Sequence, residues 1–338
     1  MRVLHGVQEI AGQAALSALG LREIGVEARA YFPPHPFGYG LAPDYSPRAP
    51  GALRPAERLL DALRLARRFD VFHFHAAVSF VSPRLGHADV RLMRRLGRRV
   101  FVEFWGSEAR IPSLEHARNP HYVNAYHEKD DENRARLQRW AELTGGHMVA
   151  ADHSFHLHAG PYFPHIRVVR HRVDTRRIRS APPRPDAKRP VVVHAPSSLA
   201  GKGTVFVREA VERLRGRGVA LEYVEVHGKT QQEALEIYAR ADLIVDQLCT
   251  GGHGVFAAEA MAMGKPVVCF ILPELVGTYP EGFPIINANP LDVAEVLEEW
   301  LVDGEARARR GEQSRAYAER EHDCRVVARR LVEAYLAE

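Results

Sequence analysis

Residues 250–268 read Thr-Gly-Gly-His-Gly-Val-Phe-Ala-Ala-Glu-Ala-Met-Ala-Met-Gly-Lys-Pro-Val-Val. A glycine-rich loop runs here into a small-residue helix carrying Glu259 and then into an apolar strand. Gly251, Gly252 and Gly254 let the backbone approach a ligand closely, and the helix that follows opens with N–H groups that have no intrahelical partner. Those groups and the helix dipole together make an anion site. Glu259 falls near the first turn, where its carboxylate can accept hydrogen bonds from a sugar hydroxyl. A turn of this kind also serves simply to pack a helix closely on a sheet, so it is read together with a second segment.

That segment is His194-Ala-Pro-Ser-Ser-Leu-Ala-Gly-Lys-Gly-Thr204, which follows the apolar run Val191–Val193 and precedes an amphipathic helix. Lys202 precedes Glu259 by 57 positions (259 minus 202), room for the intervening helix-strand units. Ser197 and Ser198 offer hydroxyl donors to a phosphate, although serines in such loops more often satisfy their own backbone.

The string from Gly254 to Val267, Gly-x-x-x-x-Glu-Ala-Met-Ala-x-Gly-x-Pro-Val, resembles the nucleotide-diphosphate-sugar site of the retaining glycosyltransferases of family 4. The Lys202-Gly203 pair is similar to that family's loop meeting the donor's phosphates. The resemblance is clearest from about 190 to 290. It implies the GT-B fold, two Rossmann-like doubly wound α/β domains facing across a cleft. It also implies a nucleotide-diphosphate-sugar as co-substrate with no further cofactor. By the same resemblance Glu259 binds the ribose and Lys202 meets the diphosphate; Gly12, Ser197, Ser198, Gly252, His253 and Gly254 are read from their loops as further donor-binding candidates, with His253 toward the transferred sugar. Two departures stand out. Where the family commonly has a second glutamate eight residues before Glu259, this chain has Gly251, and where many members have a histidine before a glycine, it has Trp105 ahead of Gly106.

The rest of the chain alternates in the same style. Arg2–Val7, Val26–Phe32, Val71–His75, Val100–Trp105 and Met148–Ala151 read as strands, with helices at 11–24, before Arg68, around 91–96 and at 130–143. Ser180–Pro190 is too proline-rich for an element interior and reads as a connection. Beyond it, strands are expected at Val191–Ala195, Leu221–Val226 and Asp242–Gln247. Thr230 and Glu233 form a capping-box signature, Asn289-Pro290 reads as a helix start, and Glu305–Glu338 holds two closing helices. The expected domains are 1–180 on the acceptor side, 181–320 on the donor side, and 321–338 as a helix crossing back to the first.

A chain of 338 residues with 46% hydrophobic content can bury two cores. Residues 1–180 hold 27 Lys+Arg against 18 Asp+Glu, and residues 181–338 hold 19 against 24. The first half is therefore the basic one, suited to an anionic or lipid-linked acceptor and to peripheral contact with a membrane's inner face. Basic side chains also simply solvate helices. No recognition helix, zinc finger or stacking platform accompanies the charge, which argues against nucleic acid. Three cysteines without ligand spacing favour a reducing compartment, and no long apolar run suggests a span, so a cytoplasmic setting is expected.

For proton transfer the remaining candidates are Glu108, which can also pair with Arg110, and His75, which can also be a packed strand-end histidine. The histidines show no His-x-x-x-His or Cys-paired spacing on an expected helix, so no metal site is expected. The reading is a retaining hexosyltransferase moving a sugar to a hydroxyl acceptor. Two alternatives stay open: a degenerate GT-B protein that binds nucleotide-sugar or a partner without turnover, and a nucleotide-sugar epimerase.

Overall fold

The computed structural model describes residues 1–34 and 39–337. The chain divides into two compact units. The first comprises Met1–Ile111, Glu128–Arg170 and Cys324–Glu338, and the second Pro112–His127 and His171–Asp323.

In the first unit six strands form one parallel sheet: β1 (Arg2–Gly6), β2 (Glu27–Tyr31), β3 (Val71–His75), β4 (Arg99–Phe104), β5 (His147–Ala150) and β6 (His165–Val168), in the order β2-β1-β3-β4-β5-β6. The strand order reverses between β1 and β3, the place where open parallel sheets keep a crevice. Helix Gln13–Glu23 and the C-terminal helix Cys324–Leu336 cover one face. They pack Ala14, Ala18, Leu21, Val327, Ala328 and Leu331 onto Val3, Val71, Phe101 and Val149. The two helices meet at Gly20, where a Cβ would come within 2.1 Å of the Cys324 carbonyl oxygen, so no other residue fits this crossing.

The second unit has a five-stranded parallel sheet in the order β11-β10-β9-β7-β8, built from β7 (Val191–His194), β8 (Glu222–Glu225), β9 (Leu243–Val245), β10 (Val267–Cys269) and β11 (Ile286–Asn287). Its reversal lies between β7 and β9. The central strands are fully buried runs of Val, Leu and Ile, as parallel sheets covered on both faces require. Helix Thr204–Gly216 packs Val207, Val211 and Leu214 against one face. Helix Val255–Ala262 packs Ala257, Ala258, Met261 and Ala262 in the core on the other.

Several elements differ from expectation. Ser180–Pro190 is no free connection: Ala181 N–H donates to the Met263 carbonyl, and the Arg184 guanidinium and backbone N–H both bond Asp242, tying the segment into the second unit. The helix expected from Asn289 begins at Val293, because the Asp292 carboxylate takes the Asn289 N–H at 2.7 Å and closes a turn first. The capping box at Thr230 and Glu233 is present.

Candidate functional site

The reversal between β7 and β9 places two loops side by side in the second unit. The loop after β7 ends in a single helical turn, Leu199–Lys202, whose start is capped by the Ser198 hydroxyl accepting from Gly201 N–H at 3.3 Å. Ser198 thus serves its own backbone, while Ser197 is exposed. Gly203, at φ +74°, turns the chain from Lys202 into helix Thr204–Gly216, and a Cβ there would lie 2.9 Å from Cys249 Sγ. The loop after β9 runs from Asp246 to Gly254. Leu248 N–H donates to the Lys202 carbonyl at 3.1 Å and Asn119 Nδ2 to the Cys249 carbonyl at 3.0 Å, which fix the two loops to each other and to the 112–127 segment.

Lys202 Nζ lies 3.4 Å from Asp246 Oδ1 and donates to Gln247 Oε1. The other Asp246 oxygen accepts from Gly254 N–H at 2.8 Å, at the start of helix Val255–Ala262. One buried carboxylate therefore sits between a lysine ammonium and a helix N-terminus, the position where an anion is electrostatically favoured. A Cβ on Gly254 would stand 3.3 Å from Lys202 Nζ and 3.4 Å from Asp246 Oδ2, so glycine keeps the approach open. Asp246 and Gln247 were not singled out from sequence. Their signal is an acid-amide pair ending an apolar strand beside the glycine-rich loop.

Gly251 has φ +82°, and a Cβ there would fall 2.5 Å from Leu272 Cγ. The glutamate of the resembling family has no room at this position in this backbone. Gly252 contributes its carbonyl, which accepts from the Gln247 amide. His253 is 5% exposed, its ring 5.3–5.7 Å from those of His171, His322, Tyr279 and Phe283, so the imidazole expected beside a sugar lies in a buried aromatic cluster.

Glu259 is the fifth residue of its helix, in the second turn rather than the first. That sets it about 7 Å along the axis from Gly254, at 1.5 Å per residue. Its Oε1 accepts from Gln231 Nε2 at 2.5 Å, and burial pushes its carboxyl up to about 7 against the opposing effect of that amide. An acid so desolvated is a candidate ligand contact.

The first-unit candidates are committed to internal contacts. Glu108 Oε1 accepts from Trp105 N–H at 2.5 Å, closing its own loop, and burial raises its pKa. His75 is fully buried, stacked on Trp105 and 3.1 Å from His5. Gly12, at φ +80°, precedes helix Gln13–Glu23, whose Ala14 and Ala15 N–H groups donate to the Glu9 carboxylate at 3.1 and 3.0 Å. A phosphate at Gly12 would meet that carboxylate.

Two units, each a parallel sheet with flanking helices, make the GT-B fold. Residues 186–303 match the family described as Glycosyl transferases group 1. No curated protein matches the sequence. Among solved structures, Anabaena Alr3699/HepE in complex with UDP and glucose is similar at a TM-score of 0.63 and 12% identity, over 98% of each chain. Sucrose-phosphate synthase (tll1590) from Thermosynechococcus elongatus is similar at 0.61 and 12%, over 99% of this chain and 98% of that one. A glycosyltransferase from Rickettsia africae ESF-5 gives 0.59 and 13%, over 99% and 97%.

Proposed function

We propose that the chain is a glycosyltransferase that moves a sugar from a nucleotide-diphosphate-sugar to a hydroxyl acceptor, with retention of configuration. The observation that carries this is the Lys202, Asp246 and Gly254 arrangement, a cation and a helix N-terminus already gathered around one negative group. As the bond between the sugar and the diphosphate breaks, charge grows on the departing phosphate oxygen. A fixed ammonium and oriented backbone N–H groups stabilise that charge without reorganising. Glu259, one and a half turns along, is placed for the ribose hydroxyls. UDP is the first nucleotide to test, because the Anabaena structure holds UDP and glucose.

With His75 and Glu108 held in internal contacts, the acceptor's proton passes in this reading to the leaving phosphate oxygen, and the acceptor is recognised by the basic first unit. Its helix Arg54–Arg68 exposes Leu59, Leu60 and Leu63 beside Arg54, Arg64, Arg67 and Arg68, with Leu53 exposed just before it, which favours a lipid-linked acceptor and contact with an anionic membrane. Among the described residues no helix is long and apolar enough to cross a membrane. Co-sedimentation with anionic but not zwitterionic vesicles is the expected result, and equal recovery with both would remove the membrane from the proposal.

The donor reading is tested by thermal shift with UDP, GDP, ADP and their sugar conjugates, since a ligand of the native state raises the midpoint by mass action. One nucleotide class should stabilise the wild type and fail with Lys202→Ala. No shift with any of them at millimolar ligand sinks the proposal.

A further inference from the structure

The sheet face beneath the C-terminal helix is apolar toward the strand starts and polar toward their ends. His73 and His75, two apart on β3, share that face; the register sets His73 beside His5 of β1, and His75 beside Glu103 of β4. Tyr335, from the C-terminal helix, closes over them. All five side chains are 0–1% exposed. They form a ring. His73 Nε2 and His75 Nδ1 face one oxygen, Glu103 Oε2, at 3.2 and 3.7 Å. His73 Nδ1 lies 2.7 Å from the Tyr335 hydroxyl, that hydroxyl 3.1 Å from His5 Nε2, and His5 Nδ1 3.1 Å from His75 Nε2.

A carboxylate this deeply buried needs a positive charge beside it. The charge can be a proton on an imidazole or a metal ion, and the donor set and its outer contacts favour the metal. An imidazolium bonded to a carboxylate stands about 2.7–2.9 Å from it. The two contacts at Glu103 are longer than that, and the one from His75, at 3.7 Å, is beyond hydrogen-bond length. Around a tetrahedral zinc with bonds of about 2.0–2.1 Å, neighbouring ligand atoms are about 3.3–3.5 Å apart. The observed 3.2 and 3.7 Å bracket that edge at both Glu103 contacts, and the three donor atoms, within 4.8 Å of one another, close onto an ion when the two imidazoles draw together.

The outer contacts agree. A metal-bound histidine characteristically engages its second ring nitrogen in a hydrogen bond that fixes tautomer and orientation. His73 directs Nε2 inward and Nδ1 to Tyr335, and His75 directs Nδ1 inward and Nε2 to His5. We propose that His73, His75 and Glu103 bind one divalent first-row transition metal, zinc by donor set, as a structural site inside the first unit. Two neutral imidazoles and one carboxylate leave the ion a net positive charge. The ion joins β3 to β4 and, through Tyr335, to the C-terminal helix.

Tag-free full-length protein from zinc-sufficient medium, after gel filtration, should carry about one zinc per chain by elemental analysis. Glu103→Gln and His73→Asn should each fall below about a tenth of that while remaining folded by circular dichroism. The control is His153→Asn with His165→Asn, which removes one member from each of two less buried stacked histidine pairs and should leave the zinc in place. Should the ligand variants not fold, the wild type still decides. Stripping should lower its thermal midpoint, zinc should restore it, and X-ray absorption should show two imidazoles and a carboxylate. Wild type that is metal-free and unmoved by zinc overturns the proposal. Zinc retained by Glu103→Gln or His73→Asn, or an absorption spectrum without that ligand set, shows adventitious metal only and also overturns it.

Discussion

Two helix N-termini follow strands bordering the reversal of their sheets, and the chain treats them differently. At helix Gln13–Glu23 the Glu9 carboxylate takes two amides, and burial raises its pKa. At helix Val255–Ala262 the Asp246 carboxylate takes one amide and leans on Lys202. Each terminus has an internal anion, but among the described residues only the second has a cation to pass to an incoming one. A glycine before a helix therefore marks where a phosphate fits sterically. The neighbouring charges decide whether it is welcome.

The largest effect that tests this contrast is expected at the cation. Lys202→Ala should weaken nucleotide-diphosphate binding by about tenfold to a hundredfold, the loss of one charged hydrogen bond of about 1.5–3 kcal/mol, read by calorimetry. Unchanged affinity would mean that the second terminus is as closed as the first. Asp246→Asn should act the other way, tightening the same nucleotide by about tenfold or somewhat less, because it frees Lys202 and removes a negative charge near the diphosphate. Weaker binding by Asp246→Asn would show that the carboxylate holds Lys202 in place instead of competing with the ligand.

Sequence revealed the contrast only in part. Parallel strands, glycine turns and the string around Glu259 were legible because each is a local pattern with one backbone solution. Strand β6 was not, since His165–Val168 is partly exposed and its polar-apolar alternation spans only four residues. Glu9 was missed because its two bonds reach five and six residues ahead into the helix, a cap that no short motif describes. Asp246 reads as the end of an apolar strand until β7 brings Lys202 beside it. His75 and Glu103 are 28 residues apart in sequence, and only strand register makes them neighbours. The same register explains why helix-based metal spacing says nothing about that cluster.

A smaller effect distinguishes Glu259 from the carboxylates that merely cap. Its carboxyl is pushed up to about 7 from 4.5 by burial. It is therefore protonated in the folded protein over much of the range below 7, and a carboxylate accepting from ribose hydroxyls must first lose that proton. Binding of a nucleotide-sugar, which does not itself titrate there, should strengthen several-fold as pH rises through about 7 and then level off; Glu259→Gln should flatten the profile. The linked stability runs oppositely. Between 4.5 and about 7 the folded state holds more protons than the unfolded one, so this group's contribution to stability falls as pH climbs across that window. A nucleotide-sugar affinity independent of pH would remove Glu259 from the donor contacts.

The smallest effect belongs to the closed terminus, and it completes the contrast. Glu9→Gln keeps one acceptor for the first-turn amides and removes the charge that opposes the helix dipole, so it should cost about 1 kcal/mol, measured as a shift in the denaturant midpoint. Because the Glu9 carboxyl is raised by burial, part of the cost of ionising it is removed as well, and the net loss should be smaller at pH 8 than at pH 5. Nucleotide-diphosphate affinity should stay within about twofold of wild type, since no cation at this terminus is released. If Glu9→Gln instead tightened nucleotide as Asp246→Asn is expected to, both termini would be anion sites held shut by their own carboxylates. Lys202 would then no longer be what separates them.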